Sequence, residues 1–309
     1  LQISEKQKYE VLSDKNRIRE WKTPPQRGLI TDFYNKILAD NDRVFQVHLT
    51  LDEIKDFDET IFRLKNIINL SNNEIRRIYQ NKERLRPWDT LVVSDNLNWS
   101  EFSKLNLYLH ELEGVKPVVS SSRYYPYGSN VAHVVGYVGD ASEKDVERME
   151  AIKENLVPGL KVGKSGIEYS NEKALIGKYG IKRYEVNSSG KRISQLEHIK
   201  ESQGISIKTT VDLEVQKFAQ ELLKGQAGSI CAMDIYTGEV IAMASSPTYD
   251  PNKFTHGIGH KDWGEIRDNP LKPLVNKSVA GLYSPGSTLK PLVALAALEF
   301  GTIDPEKAI

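Results

Sequence analysis

The sequence holds a single cysteine, Cys231, among 309 residues, which excludes an internal disulfide and any zinc site built on cysteine ligands. Cys231 lies in the run GSICAMDIYTGEVIAMAS, which reads as a buried strand, so an inert core thiol is expected. No apolar run approaches the roughly 18 residues that a membrane span requires, and the opening LQISEKQKYEVLSDKNRIRE is too polar for a signal peptide. The chain as it stands is expected to be soluble, and its start at Leu1 without methionine reads as trimming. Charge of one sign is also missing: 42 basic and 42 acidic side chains cancel, so no whole-molecule field points to nucleic acid or a membrane surface. At this length two or three domains are expected, each with room for a core.

Local patterns suggest an α+β chain. RGLITDFYNKILADN (Arg27 to Asn41) reads as a hairpin turning at Asp32 to Lys36. Ile54, Phe57, Ile61, Leu64 and Ile68 recur at helical spacing, and a second helix follows with Ser71 as N-cap and Glu74 three residues on. TLVVSD reads as a strand, NWSEFSKLNLYLHEL as a helix, GVKPVVSSSRYYP as extended, and a helix of mixed charge is expected around Glu143 to Glu154. The polar stretch 186–204 reads as strand, turn and linker, which places a domain boundary near Gly204. Beyond it, ISIKTT, a helix capped by Asp212, and two apolar strands flanking YTG give a β-α-β-β order suited to an antiparallel sheet with helices on its face.

The last helix, STLKPLVALAALEF, is apolar on nearly every side, so burial in a larger body is expected, and Pro291 is tolerable in its first turn. At its start, Ser287 and Lys290 share a face. A buried lysine held neutral can take the hydroxyl proton of a serine, and a helix N-terminus stabilises the resulting alkoxide and lends N–H groups to an oxyanion hole. The reaction class is acyl transfer; the competing reading is a simple helix cap. Ser170 to Lys173 (SNEK) and Ser188 to Lys191 (SSGK) repeat the spacing, the first on a charged helix face and the second at a turn, and neither supplies a desolvated base. SDN at Ser94 to Asn96 reads as a turn or N-cap between strand and helix, and KTT at Lys208 as a strand end. His256 and His260 are four apart, but Gly257 and Gly259 argue against a helix there, so no metal site is expected. GIGHKDWG lacks the glycine spacing of a phosphate loop, and no cofactor is implied.

Longer stretches carry a resemblance. NRIREWKTPPQRGLITD contains an R-G-x-I-x-D pattern, SRYYPYGSNVAHVVGYVG and VGKSGIEYSNEKALIGKYGIKRYEVNSSGK follow it, and TVDLEVQ, DIYTGEVIAMASSPTYDPNKF and PLVNKSVAGLYSPGSTLKP complete the series. Together they resemble the class B penicillin-binding proteins, nearly end to end, and within them the elongation-specific D,D-transpeptidases. The resemblance implies a non-catalytic α+β pedestal over residues 1–204, with a head subdomain at about 45–150, and the N-terminal part of a penicillin-binding, β-lactamase-like transpeptidase domain over 205–309. It implies Ser287 as the acyl-enzyme nucleophile, Lys290 as general base and the Ser287 backbone N–H as half of an oxyanion hole. The substrate would be the peptidoglycan stem peptide, and β-lactams would acylate the same serine.

Implied partners are a membrane glycosyltransferase of the RodA-like SEDS family and an MreC-like elongation scaffold, with no nucleic acid and no cofactor. The implied location is the bacterial inner membrane, through an N-terminal anchor absent from this sequence, with the domains in the periplasm. The family's S-x-N and K-[ST]-G motifs follow the serine and are expected downstream of residue 309, so negligible transpeptidation is expected of residues 1–309 alone. A septal class B protein, a β-lactamase and a purely non-catalytic interaction module of the elongation machinery are the alternatives.

Overall fold

A computed structural model describes residues 18–85, 90–148, 160–186, 192–304 and 306. After β1 (Ile18–Thr23) comes the expected hairpin, in which β2 (Ile30–Thr31) turns into β3 (Ile37–Thr50). Asp32 makes the turn: its Oδ1 accepts from the N–H groups of Tyr34 (2.8 Å) and Lys36 (2.7 Å). β3 runs on through the polar DNDR stretch because β5 pairs with it along Asp40 to Arg43 and satisfies its backbone on that edge.

Two amphipathic helices follow, α1 (Phe57–Ile67) and α2 (Asn72–Arg84), the second opened by the expected Ser71–Glu74 capping box. Next come β4 (Thr90–Leu97), α3 (Trp99–Leu107) and β5 (Val115–Tyr124). β4 and β5 both pair antiparallel with β3. Val47, Leu49, Ile61, Leu64, Ile78 and Leu105 form the buried core between sheet and helices. Ser94 to Asn96 lie inside β4, so they are neither turn nor cap; Asn98 caps α3, and Glu101 reciprocates.

The chain then makes α4 (Ala132–Val135), β6 (Val138–Asp140), α5 (Glu143–Arg148), β7 (Lys161–Gly163), α6 (Gly166–Ser170) and α7 (Glu172–Leu175). α5 is the described part of the helix expected around Glu143 to Glu154. Ile30, Leu38, Tyr125, Val131, Leu175 and Leu213 make a second core. β8 (Gly180–Val186) lies between β1 and β9 (Arg192–Ile199) in a separate antiparallel sheet. Ser188 to Lys191 lie outside the described residues.

The stretch around Gly204 is packed rather than free. Gly204 N–H donates to Gln26 O (2.9 Å) and Gly28 N–H to Leu175 O (2.8 Å). A Cβ on Gly204 would stand 1.9 Å from Leu175 O, and one on Gly28 2.1 Å from Ile205 O, so only glycine permits this approach. β10 (Ile207–Lys208) then pairs parallel with β2, joining the first sheet rather than the downstream antiparallel one expected for ISIKTT. The reason is local: Ile207 packs against the second core.

Downstream, α8 (Leu213–Leu222) is capped by Asp212, and β11 (Gly228–Met233) and β12 (Val240–Ser246) form an antiparallel hairpin. Ala219, Leu223, Ile230 and Ala244 pack between them. Cys231 is exposed, against expectation, because side chains alternate along β11 and Ile230 takes the helix-facing side. Short helices α9 (Asn252–Thr255), α10 (His260–Arg267) and α11 (Lys277–Ala280) lead to α12 (Lys290–Glu299). Among the described residues no helix is long and apolar enough to cross a membrane.

Candidate active site

Ser287 sits on a 3-10 turn, Gly286–Leu289, immediately before α12. Gly286 begins that turn at φ +53°, in the left-handed region where a side chain is strained. The Lys290 N–H donates to Ser287 O, closing one 3-10 turn between the two residues. In that geometry side chains three apart eclipse, so Lys290 stands over Ser287 more directly than an α-helix would put it. The Ser287 N–H belongs to the first turn, where backbone donors have no intrahelical partner, and the positive end of the α12 dipole faces the same way. Pro291 falls at the tolerated first-turn position, and the Thr288 hydroxyl donates to the Pro285 carbonyl.

The environment differs from the expectation. Ser287 and Lys290 are exposed, as are Leu292 (62 %) and Leu295 (64 %) on α12 and Phe300 (84 %) at its C-cap. None of the described residues covers this helix, so the burial expected of it is not supplied by them. The segment that precedes it is well held. Ser245 Oγ on β12 donates to Val275 O (3.3 Å) and accepts from Lys277 N–H (3.0 Å), and Ser278 Oγ donates to Ala244 O (3.1 Å).

Of the other serine–lysine pairs, Ser170 and Lys173 are exposed on short helices, but Glu172 between them is buried. It belongs to a charge cluster in the upstream half that composition and spacing did not reveal. Glu168 Oε2 accepts from Arg27 Nε (2.7 Å) and its Oε1 from Arg123 Nε (2.6 Å), while Arg27 Nη1 reaches Glu172 Oε1 (2.9 Å). Gly163 N–H donates to Glu172 Oε2 (2.8 Å), and the Tyr125 hydroxyl donates to Glu168 (3.3 Å) while accepting from Val138 N–H (3.1 Å). Burial alone would push the Arg27 guanidinium down, but the two carboxylates outweigh it and hold it above its usual range. The available signal was that Arg27 and Glu168 both fall inside the motifs that carried the resemblance.

His256 and His260 do not act together: His256 ends α9 and His260 opens α10. His256 instead lies on the upstream sheet, its Nε2 3.2 Å from Ser122 Oγ and its Nδ1 3.6 Å from Asp95 Oδ2. Asp95 is thus a charged partner of the downstream half as well as a strand residue. Among the described residues no group of three or more His, Cys, Asp or Glu is arranged to hold a metal ion.

Residues 22–209 match the family described as the penicillin-binding protein dimerisation domain, and residues 228–309 match the penicillin-binding protein transpeptidase domain. The chain belongs to the class B penicillin-binding proteins. It is 35 % identical over 310 aligned positions to the peptidoglycan D,D-transpeptidase MrdA of Acinetobacter baumannii, covering 100 % of this chain and 46 % of that protein. To MrdA of Escherichia coli K12 it is 34 % identical, covering 98 % of this chain and 48 % of the relative. A solved complex between penicillin-binding protein PBP2 and MreC from Helicobacter pylori superposes with a TM-score of 0.75 at 29 % identity, covering 94 % of this chain and 55 % of that one. The chain therefore spans about half the length of the curated relatives it matches. The α+β expectation, a dimerisation-type domain followed by the start of a transpeptidase domain, stands.

Proposed function

We propose that the protein carrying this chain is a serine-type peptidoglycan D,D-transpeptidase that crosslinks stem peptides during cell elongation. Ser287 attacks the penultimate D-alanine carbonyl, Lys290 takes the hydroxyl proton, D-alanine leaves, and an amine of a neighbouring stem receives the acyl group. The Ser287 N–H contributes half of the oxyanion hole. One observation carries the reading: Ser287 and Lys290 stand one turn apart at the start of α12, inside the transpeptidase-domain match. Residues 1–204 form the pedestal, its head subdomain at about 45–150, and 205–309 begin the catalytic domain; the site needs an S-x-N and a K-[ST]-G after the serine, and residues 288–309 contain neither.

Likeness to MrdA and to a PBP2 that forms a complex with MreC favours the elongation role over a septal protein, a β-lactamase or a module with no chemistry. The complex with MreC also supports an MreC-like scaffold as a pedestal partner. A RodA-like glycosyltransferase as a second partner, and an inner-membrane anchor with periplasmic domains, belong to the same proposal through the family resemblance alone. The test is intact-mass analysis of the full-length protein and its Ser287→Ala form after benzylpenicillin. A single serine-dependent adduct is the expected result. No adduct on a folded full-length protein refutes the enzyme reading.

A further inference from the structure

Five side chains of the downstream half reach main-chain atoms within one short upstream stretch, residues 125 to 133, among them the Tyr249 hydroxyl, which donates to Ala132 O (3.3 Å). Asn252 clasps Tyr125, accepting its N–H at Oδ1 (2.9 Å) and donating from Nδ2 to its carbonyl (3.0 Å). Thr248 Oγ1 donates to Ser129 O (2.9 Å), and Gln216 Nε2 donates to Asn130 O (2.9 Å). Asn276 Nδ2 donates to His133 O (3.3 Å). Because every upstream partner is backbone, what is read is the path of the chain, which turns at Gly128 with φ +47°.

Asn276 differs from the other four in position. It caps α11, its Oδ1 accepting from Ser278 N–H (3.1 Å), while its amide nitrogen holds the upstream half. Only residues 281 to 286 separate α11 from Ser287, and the first of them, Gly281, is extended and closely packed. A Cβ on Gly281 would stand 2.5 Å from Lys277 O and 2.2 Å from the Tyr283 ring. A nucleophile must stand about 3–3.5 Å from the carbonyl it attacks, and a displacement of about 1 Å at that distance costs on the order of a hundredfold in rate.

We infer that Asn276 is a positioning residue, tying α11 to the upstream main chain at His133 and so setting where Ser287 stands. The inference rests on the reading of Ser287 as the acylated serine. Asn276→Asp separates the two jobs of the side chain. Aspartate caps a helix as well as asparagine does, but an oxygen would replace the Nδ2 donor opposite the His133 carbonyl.

The test uses full-length protein in wild-type, Asn276→Asp and Ser287→Ala forms. Saturation kinetics with a fluorescent penicillin separate its dissociation constant from the maximal acylation rate, and hydrogen exchange follows the bonded amides of residues 278–281. In Asn276→Asp the melting temperature and dissociation constant should stay at wild-type values, acylation should slow about tenfold, and exchange across 278–281 should quicken. A wild-type acylation rate, or unchanged exchange, overturns the inference. If the wild-type protein forms no adduct, the reading of Ser287 fails instead, and exchange alone decides whether the tie exists. Should Asn276→Asp melt early, Asn276→Ser takes its place, since serine also caps but is too short to reach His133 O.

Discussion

Replacing Arg27 by methionine removes the only cation among the described residues that touches both Glu168 and Glu172, while keeping a side chain of similar length. In the intact cluster two guanidinium groups face two carboxylates, and the side chains of Glu168, Glu172 and Arg123 are no more than 2 % exposed. After the substitution Glu168 keeps Arg123, whereas Glu172 keeps only the Gly163 N–H. Leaving one partner of a buried ion pair behind costs about 3–5 kcal/mol, a large part of the roughly 5–15 kcal/mol that holds a typical domain together. The assay is urea unfolding of the wild type, Arg27→Met, Glu172→Gln and the double variant, each midpoint converted through its denaturant slope. The double variant restores charge balance, so it should recover about 2 kcal/mol of the loss expected from adding the single effects. A single-variant loss below about 1 kcal/mol, or simple additivity, would refute the idea that an uncompensated buried carboxylate is what destabilises.

Two pH dependences follow from other buried groups. Burial first, then the Lys277 charge, pull the His133 imidazole down to about 4, against the opposing carbonyls of Pro247 and Pro273, and the ring packs edge-on to Tyr249. The unfolded chain takes up that proton first, so the contribution of His133 to stability should be intact above about 6.5 and fall as pH drops to about 4. The stability difference between wild type and His133→Gln should vary across that window, and parallel curves would defeat the prediction. For Asp145, burial pushes the carboxyl up, but hydrogen bonds from Lys164 and from the Ser142 hydroxyl and N–H outweigh it and bring the group to about 2. Its stabilising contribution should be present above about 3.8 and vanish as pH falls through about 2, a dependence that Asp145→Asn should lack in acid unfolding curves.

What could be read along the sequence were the features decided within a few residues. The Ser71–Glu74 capping box, the Asp32 turn, the Asp212 cap and the serine at the start of α12 depend on local geometry, and each lies where the pattern put it. Features decided by distant partners were hidden. Glu168 and Glu172 look like surface charges until Arg27, 141 and 145 residues away in sequence, closes on them. The alternation that exposes Cys231 cannot be oriented until α8 covers one side of β11. The apolarity of α12 predicted burial, but burial needs a neighbour, and periodicity does not say where one comes from.

The seam at β10 bears on modularity. Ile207 N–H donates to Leu29 O (2.8 Å), Thr209 N–H to Thr31 O (2.9 Å) and Leu29 N–H to Ser206 Oγ (3.1 Å). A pedestal cut at residue 204 would lose all three bonds and leave the Ile30 edge open to pairing with another chain. Shuffling the two halves between relatives would therefore need its crossover beyond Thr209, because the first residues past the glycine contact fold with the half that precedes them.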